Sequence, residues 1–186
     1  MLEVSITLAI LEITMIRGFL LGLAGAAIAT TSLAHVTLET RQAPAGANFK
    51  AVLRVSHGCE GSPTTALRVK IPEGIIAVKP MPKPGWTLEM VKGKYAKTYE
   101  GSEKQKISEG VVELAWSGGK LPDDNYDEFV FRAFVTADLP AGQAVYLPIV
   151  QQCEKGVHRW IEIPAAGKST DDYPEPAAEL MVTPKK

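Results

Sequence analysis

The chain's imidazoles and thiols number five: His35, His57, His158, Cys59 and Cys153. His57 stands two residues before Cys59 in SHGCEGS, and His158 five residues after Cys153 in QQCEKGVHRW. Imidazole and thiolate are the usual protein ligands of zinc and copper(I), so these four residues are one candidate metal site. The spacing contains no CxxC pair, however, and an even cysteine count in an exported chain favours a disulfide. A Cys59–Cys153 bond would close a long loop and contribute roughly 4 kcal/mol in the chain-entropy account. It would also remove both sulfurs as ligands, leaving His57 and His158 as neighbours of a disulfide.

His35 is set apart by what precedes it. Residues 1–34 carry only three charges, Glu3, Glu12 and Arg17, and from Phe19 to Ala34 the run FLLGLAGAAIATTSLA is uncharged. Ser32 and Ala34 then sit at −3 and −1 of a cleavage site. A basic residue, a short apolar stretch and small residues at the end are the layout of a secretory signal peptide. Glu3 and Glu12 upstream of Arg17 are unusual for one, and a start at Met15 would give the ordinary n-region MIRG. Cleavage after Ala34 leaves residues 35–186, with His35 as the new N-terminus. Its α-amine and its ring could then chelate one ion together. The amine has an ordinary pKa of about 7.7–8, so a metal can displace its proton near neutral pH. Two nitrogens with oxygen donors suit tetragonal Cu(II).

Oxygen ligands would have to come from carboxylates. Glu39, Glu113, Glu128 and Glu162 all fall on strand-like segments. Glu128 opens the apolar run EFVFRAFV on its less apolar face, where it is either a solvated strand end or a ligand. In VHRWIEI, alternation places Trp160 with His158 and Glu162 on the more polar face, an uncommon position for a large aromatic. Trp86 and Trp116 read as core or turn-packing residues. The chain has no nucleophile elbow, phosphate loop, dinucleotide fingerprint or HExxH, and no enzymatic activity is expected.

The elements that must position these residues are short β-type runs punctuated by Gly and Pro. Strands are expected at Val36–Thr40, Phe49–Ser56, Leu67–Ile71, Ile75–Val78, Thr87–Val91, Tyr95–Tyr99, Val111–Ser117, Glu128–Thr136, Ala144–Gln151, Val157–Ile163 and Glu179–Thr183. Pro164–Pro176 reads as a loop leading to the last of them. This pattern predicts an all-β sandwich. Of 21 acids and 20 bases, loss of the leader leaves 19 of each, which argues against a nucleic-acid partner. No second segment approaches the ~18–20 apolar residues of a membrane span.

Five blocks in order resemble the YcnI-like copper-binding proteins of bacteria: AHVTLE, SHGCEGSPTTALRVKIPEG, PKPGWTLE, VELAWSGGKLPDDNYDEFVFRAF and QQCEKGVHRWIEIP. The resemblance spans roughly residues 35–184. It implies an immunoglobulin/fibronectin-like sandwich that holds Cu(II) in a monohistidine brace. His35 would supply amine and ring nitrogen, Glu128 the carboxylate, and Trp160 the aromatic neighbour of the metal, with Glu113 the alternative carboxylate. It further implies a periplasmic or secreted protein that buffers copper or delivers it to a copper transporter or chaperone. The paired cysteines mark one branch of that family. Two other readings stand beside it. One is a metal-free adhesion or assembly module that uses strand edges. The other is a two-histidine copper oxidase, which would need His57 or His158 as its second histidine.

Overall fold

The computed structural model describes residues 35–185; the expected signal peptide lies outside the described residues. The strands in chain order are β1 (Thr37–Leu38), β2 (Gln42–Pro44), β3 (Ala47–Val55), β4 (Thr64–Lys70), β5 (Ile75–Pro80), β6 (Thr87–Glu100), β7 (Lys106–Leu121), β8 (Asp127–Val135), β9 (Ala144–Leu147), β10 (Ile149–Cys153), β11 (Val157–Trp160) and β12 (Ala178–Thr183). One sheet has the order β1-β3-β8-β5, a second β11-β10-β4-β7-β6, and a third, smaller one β2-β12-β9. Strand β12 pairs with β9 antiparallel and with β2 in parallel.

Alternation explains the layering. On β8, Phe129, Phe131, Ala133 and Val135 all point inward and are buried. Leu67 and Val69 of β4, and Leu114 and Trp116 of β7, supply the facing apolar surface of the same core. Two sheets that are each apolar on one face remove that surface from water by stacking, which yields the sandwich. Trp116 is wholly buried, and its indole N–H donates to the Met81 carbonyl at 3.2 Å. On the other face of β8, Arg132 is exposed, while Phe134 joins Ile76 and Tyr99 in a separate small cluster.

Three expectations are corrected. The segments Thr87–Val91 and Tyr95–Tyr99 are one long strand, β6, whose irregular register against β7 lets pairing continue past the polar residues between them. The segment Ala144–Gln151 is two strands in two sheets, because Pro148 lacks the N–H a continuous ladder requires. Gln42–Pro44, where no strand is expected, forms β2 and pairs with β12. Trp160 does share a face with His158, as alternation predicts, and is buried there at 3% exposure. The expected Pro164–Pro176 loop is present and contains a 3-10 turn, Thr170–Asp172. Ser169 caps that turn: its hydroxyl accepts from the Asp171 N–H, and its own N–H donates to the Asp172 carboxylate.

Candidate metal centre

His35 enters the fold directly ahead of Val36 and Leu38, whose burial pins this end of the chain to the core. Its ring packs on Trp160, with centroids 5.2 Å apart and planes tilted by 54°. Trp160 also stacks on His158, at 4.7 Å with an interplanar angle of 27°. His57 meets His158 edge-on at 6.0 Å. Three histidines and a tryptophan thus form one cluster of rings, drawn from β11, the loop before Cys59 and the start of the domain, with His57 close enough to His35 to act on its charge.

The reason Trp160 turns inward lies on the neighbouring strand. In the β10–β11 register Ile149 faces Trp160 and Gln151 faces His158, so these four side chains share one side of the sheet. Gln151 is fully buried, and its amide oxygen accepts from the indole N–H of Trp160 at 3.0 Å. A buried indole that finds such an acceptor avoids the cost of an unpaired donor. Cys153 follows Gln151 on the same face and is bonded to Cys59, with S–S 2.04 Å and Cα–Cα 6.0 Å. The sulfurs are therefore not thiolate ligands, and the four-residue Cys/His site is excluded. Gly58 lets the Cys59 loop close beside His57: a Cβ there would lie 1.9 Å from the Ser62 carbonyl oxygen, which only glycine avoids.

The Pro164–Pro176 loop forms the other wall. His158 Nδ1 lies 2.9 Å from the Glu175 carboxylate. The N–H groups of Ile161 and Glu162 both donate to the Glu175 carbonyl, and the Glu175 N–H donates to the Glu162 side chain. Glu162, one of the four candidate carboxylates, is thereby committed to holding this loop. A cavity of about 50 Å³ remains beside His35, with Arg41, Thr170, Asp171 and Glu179 among its lining residues. That is room for an ion or a water molecule.

His35 Nε2 is buried and has no hydrogen-bond partner among the described residues. The imidazole pKa is pushed below its ordinary 6.5, first by burial; the Asp171 carboxylate and a hydrogen bond to the Pro174 backbone oppose the shift, and His57 and Arg41 reinforce it. At neutral pH the ring is uncharged and carries an available lone pair.

The candidate carboxylates lie elsewhere. Across the β1–β3–β8 sheet, Thr37 faces Arg54 and Arg54 faces Glu128. Two strand spacings, roughly 10 Å, therefore separate the β1 position from Glu128. Arg54 lies between them, donating to the Thr37 hydroxyl at 3.4 Å. Glu128 accepts from the Tyr126 hydroxyl at 2.6 Å. Glu113 is on the second sheet in an ion pair with Arg68 at 2.7 Å. Among the described residues, no group of three or more His, Cys, Asp or Glu side chains is gathered for a metal. The structure thus unites His35 with Trp160, and neither Glu128 nor Glu113 is among the residues lining the cavity beside His35.

The family model described as "Domain of unknown function (DUF1775)" matches residues 35–182. The chain belongs to this family. This DUF1775 domain begins, by that match, at His35 itself. It is similar to a crystal structure of an uncharacterized protein from Nocardia farcinica with an immunoglobulin-like fold. The identity is 26%, over 82% of this chain and 99% of that one, with a TM-score of 0.58. No curated protein matches the chain. The all-β, immunoglobulin-like expectation and the Cys59–Cys153 disulfide both stand. No helix among the described residues is long and apolar enough to cross a membrane.

Two residues of the DUF1775 site escape a reading of the sequence. Asp171 comes from a loop without strand periodicity, so nothing local links it to His35. Gln151 does carry a signal: it alternates with Ile149 and Cys153, and a glutamine on an otherwise apolar face calls for buried partners.

Proposed function

We propose that this DUF1775 domain binds Cu(II) as cargo, without enzymatic activity, and buffers it or passes it to a copper transporter or chaperone outside the cytoplasm. The cargo would be held by the α-amine and imidazole of His35, once the residues before it are removed, and by a carboxylate, Glu128. Trp160 would flank the ion and limit access to it.

One observation supports this reading above the others: His35 packs on a buried tryptophan beside a small cavity that the Asp171 carboxylate also lines. The donor chemistry also fits. Amine, neutral imidazole and carboxylate are the nitrogen and oxygen donors that Cu(II) favours. The YcnI-like motifs point the same way, since DUF1775 is the family in which those proteins fall. Asp171 shares a cavity with His35 and is the competitor of Glu128 for the carboxylate role.

The test is a Cu(II) titration of protein beginning at His35, read by electron paramagnetic resonance, beside the same protein with one extra residue in front. A stoichiometric signal with nitrogen coupling, lost in the extended form, is the expected result. Equal binding by both forms, or by neither, would overturn the N-terminal site and bring forward the metal-free adhesion or assembly reading.

A further inference from the structure

Gln151 uses three of the four hydrogen bonds an amide side chain can make. It accepts from Trp160 Nε1 at 3.0 Å, and its NH₂ donates to the His57 carbonyl at 2.7 Å and to Thr64 Oγ1 at 2.8 Å. Thr64 Oγ1 in turn lies 3.9 Å from Cys153 Sγ. Gln151 and Thr64 are both at 0% exposure, so no water stands ready to replace a lost partner. An apolar side chain of similar size would strand the indole N–H and remove the bonds that Gln151 donates to Thr64 and to the His57 carbonyl. The side chain therefore joins three pieces of chain: β10, the tryptophan of β11, and the loop that the disulfide closes.

We propose that Gln151 is the positioning residue of the His35 site: it holds the Trp160 ring against His35 and anchors that ring to the disulfide-closed loop. The proposal rests on the copper reading of His35. Gln151 lies behind Trp160 and acts through the indole, not as a ligand. Turning the indole away from His35 would break its hydrogen bond to Gln151. The ring is held on one side by this bond and on the other by the His158 stack, which Glu175 fixes in turn.

A double-mutant cycle in protein beginning at His35 tests this. Gln151→Leu should change the Cu(II) resonance spectrum and weaken binding about tenfold. Trp160→Phe, which removes the N–H, should do the same. The double variant should be no worse than Trp160→Phe alone, since residues acting through one contact are not additive. An equal further loss on adding Gln151→Leu to Trp160→Phe would overturn the proposal, as would an unchanged spectrum in Gln151→Leu. A readout without copper separates this from the underlying reading. In metal-free protein the Trp160 indole N–H should exchange with solvent at least tenfold faster in Gln151→Leu, by nuclear magnetic resonance. If the unsubstituted protein gives no copper signal, the copper reading fails and the exchange rate still decides: unchanged protection would overturn the role of Gln151.

Discussion

At two places in this molecule an aromatic side chain is locked by a hydrogen bond while a nearby ring keeps one polar atom unpaired among the described residues. At the first, Trp160 donates to Gln151 and His35 Nε2 has no partner. At the second, under the β6–β7 hairpin, Tyr99 donates to the Glu73 carboxylate at 2.7 Å, and the Tyr95 hydroxyl beside it has no partner. The Tyr95 and Tyr99 rings meet edge to face at 5.7 Å, much as His35 and Trp160 meet. The packing is alike and the chemistry is opposite. Burial, with the Glu73 charge, pushes the Tyr95 pKa above 10, so at neutral pH the phenol keeps its proton and offers no anionic ligand. Burial pushes the His35 pKa below 6.5, so the imidazole is neutral and offers a lone pair. The same desolvation that silences one group prepares the other, because in both cases it disfavours the charged form.

The largest expected effect separates the two regions outright. His35→Phe should abolish the Cu(II) signal, while Tyr95→Phe should leave it intact and change unfolding free energy by no more than about 1 kcal/mol. Copper binding lost in both, or in neither, would end the contrast. Next in size is the disulfide, which ties the loop beside His57 to β10. Replacing Cys59 and Cys153 by serine should cost roughly 4 kcal/mol in urea unfolding, because the 94-residue separation leaves the unfolded chain far more freedom. A third measurement concerns the carboxylates. Glu128→Ala should weaken copper about tenfold, or ~1.4 kcal/mol, and Asp171→Ala by less. The reverse order would transfer the carboxylate role to the residue that shares the His35 cavity.

The smallest effects are in pH. The Tyr99 pKa is pushed up to about 12, first by burial and then by the Glu73 hydrogen bond and charge. Its contribution to stability is complete below pH 10 and is lost as pH rises from 10 through 12. Tyr99→Phe should flatten unfolding free energy over that interval. The shift at His35 has the opposite sign. Its contribution in metal-free protein is complete above pH 6.5 and is lost as pH falls through the lowered folded value. His35→Phe should flatten that acid limb and leave the alkaline one alone.

Much of this is legible from local pattern. Side chains alternate strictly along a strand, so the spacing of Phe129, Phe131, Ala133 and Val135 announces their shared burial without knowledge of the fold. Pairing of the two cysteines is what their even number predicts for an exported chain. His35 draws notice through the signal-peptide pattern that residues 19–34 carry in the sequence. Local pattern fails where a residue's surroundings come from distant chain. Alternation puts Trp160 on a polar face because His158 and Glu162 share it. That face is in fact closed by the Pro164–Pro176 loop and lined by Gln151, so two of its polar residues serve to hold the loop and the indole stacks between histidines.

Residue type and alternation are enough to determine an all-β sandwich, its inward faces and the donors available for chemistry, since each depends on neighbours a few positions away. Which donors meet is decided only by folding. The long stretch of chain between His35 and β10 carries no local record of that meeting; strand order and loop closure bring Trp160 to His35 and keep Arg54 between Thr37 and Glu128.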